Sequence, residues 1–309
     1  MRPTLSHLSH LSVLAALATA LACGGRSEAT SPSAASSAPA PYFGETQPGL
    51  TPLPFAPAAL KSLSAWVESV AFTPDGRQCF VTVGTPDYSG GAMWQATFEG
   101  GAWADFKPSP LAAGFSYSGE PVFSSDGLTL TFSGRKPNGN IDPWRATRSS
   151  QGGAWSEPVA MAAPIASPDD EFRGSWTTDG AFYFGRVTAG AMAVTRAMKD
   201  AAGQMKVEKL AAPFNTSKYD GDPCVAPDGR WVVFYSARQG GSTDLYVTFR
   251  TAQGGWTDAQ NLGAAFNTRD DEYGACLSPD GKFLFFTRHS AMGNTLHWVS
   301  VAAIDRLKP

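Results

Sequence analysis

The sequence predicts an all-β chain, a β-propeller of five blades with four antiparallel strands each. Two observations predict it. An Asp-Gly turn recurs five times at nearly constant spacing, and a strand follows each turn, with an aromatic residue at matching spacing after four of the five; the third repeat has Ala193 there and Met205 near the later Trp slot. A third observation, ring closure, comes from the two ends of the repeat array.

The turns read Thr73-Pro74-Asp75-Gly76, Ser124-Ser125-Asp126-Gly127, Thr177-Thr178-Asp179-Gly180, Ala226-Pro227-Asp228-Gly229 and Ser278-Pro279-Asp280-Gly281. Their glycines stand 51, 53, 49 and 52 residues apart, a period that marks a repeat architecture. Pro presets φ at the first turn position, Asp binds the backbone beyond it, and Gly76, Gly127, Gly180, Gly229 and Gly281 take the positive φ that closes a hairpin. Apolar strands follow each turn, from Cys79-Phe80-Val81 in the first repeat to Phe283-Leu284-Phe285-Phe286 in the last. Further on come an aromatic in the next strand (Trp94, Trp144, Tyr246, Trp298) and then a second Trp (Trp103, Trp155, Trp256). The recurrence of that second Trp at one slot suits packing between blades. Four strands in about 50 residues make a blade, and a blade buries its faces only by stacking on neighbours around an axis.

Closure follows from the ends. The last repeat stops at Pro309, where its fourth strand should begin, and Leu53-Pro54-Phe55 carries the pattern of that strand ahead of the first repeat. The N-terminal segment is therefore expected to complete the last blade.

The chain has 309 residues with 32 Gly and 23 Pro, a mix for short strands and turns. Its 24 basic and 27 acidic side chains give no basic surplus, which excludes nucleic acid as a partner. Met1-Arg2 followed by the apolar run Leu11 to Ala22 has the length of a secretory signal and is too short to span a bilayer. The run ends Ala20-Leu21-Ala22-Cys23-Gly24-Gly25, which resembles the lipobox of bacterial lipoproteins. That resemblance implies a signal peptide over 1–22 and a lipidated Cys23. Gly24 in place of Asp implies the outer membrane, facing the periplasm or the cell surface, with the lipid as the sole membrane contact. The plainer alternative is an ordinary signal with an incidental Cys23. Residues 23–45, rich in Ser, Ala and Pro, read as a disordered tether, and 46–309 as the propeller. Cys79, Cys224 and Cys276 read as small buried apolar residues, with a Cys224–Cys276 bond as the alternative.

The Ser278-Pro279-Asp280-Gly281 turn with its strand Lys282-Phe283-Leu284-Phe285-Phe286, together with Asp244-Leu245-Tyr246, is similar to the WD-like repeats of TolB and related envelope propellers. The resemblance covers 46–309 and implies a monomeric binding or scaffolding protein with a protein, peptide or glycan partner in the envelope. TolB itself has six blades, so six is the alternative count.

In a propeller the loops entering each first strand share one rim with the loops between second and third strands. The first set carries Glu68, Glu120, Asp169-Asp170-Glu171, Asp220 with Asp222, and Asp270-Asp271-Glu272; the second carries Arg135, Arg186, Arg238 and Arg288. Glu68, Glu120, Glu171, Asp222, Glu272 and the four arginines are thus candidates for a ligand face. The alternative is Arg–carboxylate pairing that fixes the ring. Tyr117, Tyr219 and Tyr273 lie beside the acids and suit a glycan or peptide. No catalytic residue is assigned: no nucleophile elbow, phosphate loop or metalloprotease helix is present. The alternative to a non-catalytic binder is a propeller glycoside hydrolase using carboxylates at the central cavity. No cofactor or metal is assigned; Asp270-Asp271-Glu272 offers hard oxygens of the kind calcium takes.

Overall fold

A computed structural model describes residues 41–309 apart from Tyr88. The signal peptide, Cys23 and most of the tether lie outside the described residues. The described chain is a five-bladed β-propeller. After β1 (Leu53–Pro54) and the short α1 (Ala58–Leu63), blade one is β2 (Val67–Phe72), β3 (Gln78–Gly84), β4 (Gly91–Glu99), β5 (Ala102–Trp103) and β6 (Lys107–Pro108). Blade two is β7 (Tyr117–Phe123), β8 (Thr129–Arg135), β9 (Ile141–Thr147) and β10 (Val159–Ala160). Blade three is β11 (Asp170–Trp176), β12 (Phe182–Thr188), β13 (Ala191–Lys199) and β14 (Met205–Lys209). Blade four is β15 (Asp220–Val225), β16 (Trp231–Ser236), β17 (Asp244–Phe249) and β18 (Gln260–Asn261). Blade five is β19 (Asp271–Leu277), β20 (Phe283–Ser290) and β21 (Gly293–Ser300), with β1 as its outer strand; α2 (Ala302–Asp305) follows.

Each Asp-Gly turn closes the hairpin between the first and second strands. The glycine N–H donates to the carbonyl three residues back, from Gly76 to Thr73 at 2.8 Å through Gly281 to Ser278 at 2.9 Å. All five glycines have positive φ, between 66° and 87°. The aspartate accepts the amide two residues on, as Asp126 does from Leu128 at 2.9 Å. Where the turn begins with Ser or Thr, that hydroxyl donates to the same aspartate.

The blades are joined by apolar sheets packed face to face. Phe80 and Met93 of blade one pack with Leu130 and Phe132 of blade two, and Trp231, Val233 and Val247 of blade four with Leu284, Phe286 and Val299 of blade five. Trp155 and Trp256 pack against such clusters, near Phe123 and Phe214. The three described cysteines are free and buried.

Ring closure runs through β1. Leu53 pairs with Trp298 and Pro54 with His297, and the Phe55 amide donates to Leu296 O at 2.7 Å. Phe55 is 2 % exposed and meets Trp298 and Phe285 edge-on. The packed body extends further back than residue 46, where the sequence placed its start. Tyr42 and Phe43 lie across the seam between blades five and one. Tyr42 touches Phe72, Phe283 and Trp298 and donates from its hydroxyl to Asp280, while Phe43 lies 4.4 Å from the Trp103 ring. Two aromatic side chains suffice to draw this end of the Ser- and Pro-rich segment onto the core.

Candidate functional site

The inner strands β2, β7, β11, β15 and β19 line the propeller axis, and each is interrupted by a β-bulge. The pairing register shifts between Val67 and Ser69, Gly119 and Val122, Phe172 and Gly174, Gly221 and Cys224, and Tyr273 and Cys276. A bulge turns a side chain out of the alternation of its strand. Here the redirected residues are Glu68, Glu120, Arg173, Asp222 and Gly274. The last four have φ of 57°, 31°, 47° and 68°. For the three that are not glycine, such backbone costs about 1–3 kcal/mol each and is sustained only by its surroundings. One slot of the repeat thus holds three acids, one guanidinium and one glycine.

These side chains meet at the axis. Arg173 is 2 % exposed, and its Nε lies 3.8 Å from Asp222 Oδ2. A Cβ added to Gly274 would stand 3.3 Å from Arg173 Nη2, so the glycine leaves room for the guanidinium head. Glu120 Oε2 accepts from Ser133 Oγ at 2.7 Å and from the Arg173 backbone amide at 2.6 Å, which ties blade two to blade three. Arg173 Nε and Nη1 have no hydrogen-bond partner among the described residues. Nor does any described residue hydrogen-bond the Glu68 carboxyl, which lies over Gly84: a Cβ there would fall 1.8 Å from Glu68 Oε1.

The charges set one another's proton affinities. Burial, with help from Glu120 and Asp222 and against Arg173, pushes the Glu68 carboxyl up to about 8. Burial and Glu120 raise Asp222 as well, again opposed by Arg173. Burial disfavours the charge on Arg173, but Glu120 and Asp222 outweigh it and hold the guanidinium protonated. Burial, then Glu120 and Glu68, keep the Tyr117 phenol neutral.

Above the ring opens a cavity of about 780 Å³. Glu68, Glu120 and Asp222 line it, Tyr117, Phe172, Tyr219, Tyr235 and Tyr273 supply aromatic wall, and Asp170, Asp271 and Arg135 also contribute. A second cavity of about 350 Å³, reached past the Asp-Gly turns, is lined by Phe72, Trp176, Cys224 and Cys276 among others.

The candidate residues divide into two sets. Glu68, Glu120 and Asp222 join the axial ring, and Arg135 lines the cavity, its Nε 3.4 Å from Ser116 Oγ. Glu171 and Glu272 do not reach the axis. Each is fully buried and paired across its hairpin, Glu171 with Arg186 Nε at 2.9 Å and Glu272 with Arg288 Nε at 2.7 Å; Asp220 meets Arg238 Nη2 at 3.3 Å in the same way. Each arginine also donates to loop carbonyls, Arg186 to Ile165, Arg238 to Phe214 and Arg288 to Phe266. These three pairs clasp the loop that enters their own blade. Burial raises Glu171 to about 7 against the pull of Ser167 and Arg186. Asp271 accepts from Thr243 N at 2.7 Å and Glu272 is held by Arg288; among the described residues no three His, Cys, Asp or Glu side chains are grouped to hold a metal ion.

Arg173 is not among the residues the sequence singles out, because it lies inside β11 and not in a loop. Its signal is the spacing: Glu120, Arg173, Asp222 and Gly274 each stand seven residues before their turn glycine, and the clasp acids Glu171, Asp220 and Glu272 stand nine before it. In blade one the bulge comes one residue earlier, at Glu68.

No family model matches the sequence, and no curated protein matches it. Among solved structures, TolB from Agrobacterium tumefaciens superposes with a TM-score of 0.52 over 77% of this chain and 78% of that chain, at 14% identity. TolB from Acinetobacter baumannii gives 0.45 at 17% identity, over 75% of this chain and 54% of that one. A thermostable family-43 glycoside hydrolase gives 0.48 at 12% identity, over 75% and 88%. The chain is therefore similar to the TolB of Agrobacterium tumefaciens in fold.

Proposed function

We propose that this protein is an envelope binding protein that takes a small polar ligand, the end of a glycan or of a peptide, into the central cavity of its propeller. The observation that carries this reading is the broken symmetry of the bulge slot. Residues that hold the ring together recur, as the clasp pairs do in blades three, four and five. The axial slot instead holds Glu68, Glu120, Arg173, Asp222 and Gly274. A cavity of about 780 Å³ is of ligand-pocket size, and its tyrosines offer faces for sugar rings or side chains together with hydroxyls. The proposed setting is the outer membrane, to which lipid on Cys23 ties the chain.

The test is thermal unfolding of the full-length protein in the presence of glycan and peptide panels, beside an Asp222→Asn variant. A ligand at about 100 times its Kd adds about 2.7 kcal/mol to stability. The reading expects a melting shift of that order that shrinks in the variant; equal shifts in both proteins refute the cavity as the site. Loss of palmitate labelling in Cys23→Ser tests the anchor.

A second reading, glycoside hydrolysis, is favoured by Glu68. A carboxyl that keeps its proton up to about 8 is a general acid at neutral pH, with Glu120 and Asp222 beside it as candidate base or nucleophile. Release of nitrophenol from aryl glycosides, abolished in both Glu68→Gln and Glu120→Gln, supports this reading. Activity that survives both substitutions refutes it.

A further inference from the structure

Acidic side chains outnumber basic ones around the cavity. Glu68, Glu120, Asp170, Asp222 and Asp271 line it, against Arg135 at the wall and Arg173 buried beside Asp222. Several of the acids have structural duties. Asp170 accepts from Ile141 N at 2.8 Å and Asp271 from Thr243 N at 2.7 Å, each joining its blade to the preceding one. Glu120 holds Ser133 and the Arg173 amide, and Asp222 lies nearest the guanidinium. Glu68 has none of these ties. It is only 8 % exposed, it lines the cavity, and no described residue hydrogen-bonds its carboxyl. Gly84 keeps open the space in which that carboxyl lies.

A buried carboxyl facing a cavity without a partner calls for a donor. An anionic ligand is repelled by the surrounding acids. A metal ion lacks a grouped set of three ligands among the described residues. An organic ammonium meets both features of the cavity: three N–H donors for carboxylates, and a positive charge for the faces of Tyr117, Tyr219, Tyr235 and Tyr273.

We infer that the ligand carries a primary ammonium group, from an amino sugar or a peptide amine, and that the ammonium seats on Glu68 with the rest of the ligand among the tyrosines. The inference rests on the cavity being the ligand site. It carries a proton linkage. Facing Glu68 are Glu120 and Tyr117 from β7, Arg173 from β11 and Asp222 from β15; Gly274 of β19 lies beside the Glu68 carbonyl, and the Thr287 hydroxyl of β20 donates to that carbonyl. Below about pH 8 the incoming ammonium displaces the Glu68 proton, so affinity rises with pH, up to about tenfold per pH unit.

The experiment titrates the full-length protein by calorimetry with two matched pairs: glucosamine trisaccharide against its N-acetylated form, and N-acetyl-lysine amide against the same compound acetylated on Nε. The pH series from 6 to 8 uses the lysine probe, whose ammonium stays charged throughout. The expected result is binding of one free amine at least about tenfold tighter than its acetylated partner. That preference is lost in Glu68→Gln, whose folding is checked by its melting profile, and the lysine probe, if it binds, tightens at least about tenfold across the series. Whichever pair responds identifies the source of the amine. Equal or tighter binding of the acetylated forms overturns the ammonium seat and leaves the cavity standing as a site for neutral ligands. Binding of a free amine unchanged in Glu68→Gln overturns the seat too, as does calcium alone stabilising the wild type but not the variant. Failure of all four probes overturns the seat, and the cavity reading falls with it only where the glycan and peptide panels fail as well.

Discussion

Replacing Glu68 by glutamine should make the protein more stable at alkaline pH. The folded chain holds the Glu68 proton up to about pH 8, while an unfolded chain releases it near 4.5. Between those values the folded state binds more protons than the unfolded state, so stability falls as pH rises. The contribution is complete below 4.5 and is lost by the time the pH has passed about 8. At 1.36 kcal/mol per pH unit the gap amounts to about 5 kcal/mol, a ceiling that water in the cavity lowers. Glutamine keeps the shape that fits over Gly84 and removes the titration. Urea denaturation of wild type and Glu68→Gln at pH 4.5, 6.5 and 8.5 isolates the effect, because the other titrating groups are common to both proteins. The two should agree within about 1 kcal/mol at pH 4.5 and diverge at 8.5, with the variant ahead by about 2–5 kcal/mol. Parallel profiles would refute the argument that Glu68 is buried without a cation of its own.

Four further outcomes follow from the same geometry. Arg173→Met leaves Glu120 and Asp222 without their shared cation and should cost about 3–5 kcal/mol in denaturant titrations at pH 8, with part of the loss recovered at pH 5, where the buried Asp222 takes up a proton. Arg288→Met strands the buried Glu272 and should cost a similar amount, about 3–5 kcal/mol by the same assay, while leaving ligand titrations unchanged because the clasp does not reach the axis. Gly281→Ala places a methyl group in open space at a φ of 67°, so backbone strain alone should lower stability by about 1 kcal/mol, read as a shift in the unfolding midpoint. Phe55→Ala empties the seam against Trp298 and Phe285 and should cost about 3–5 kcal/mol in the same measurement.

The architecture was legible because its signals are local. A Ser-Pro-Asp-Gly turn dictates its hairpin whatever surrounds it, and Leu53-Pro54-Phe55 showed its pairing through being the missing strand of an otherwise complete set. The site was legible only as a rim rich in acids and arginines. Asp220 and Asp222 look alike in sequence, since both are acids in the strand that enters blade four. The bulge separates them: two residues apart along a regular strand would point the same way, but the inserted residue rotates the second toward the axis. Arg173 shows the same limit from the other side. Its strand context says nothing of the company it keeps with Glu68, Glu120 and Asp222, which come from blades distant in sequence.

Closing the ring with β1 has a mechanical consequence. Pro41–Gly44, the N-terminal end of the described chain, lies on the seam itself, so a pull applied at that end acts on blade five and its neighbour before the rest of the ring. Tyr42 and Phe43, wedged among Phe72, Trp103 and Trp298, take that pull first, and the two-residue pairing of β1 takes it next. The strap works as a strain relief: a tug has to peel two aromatic rings from their sockets before the seam can unzip and shift β2, the strand that carries Glu68.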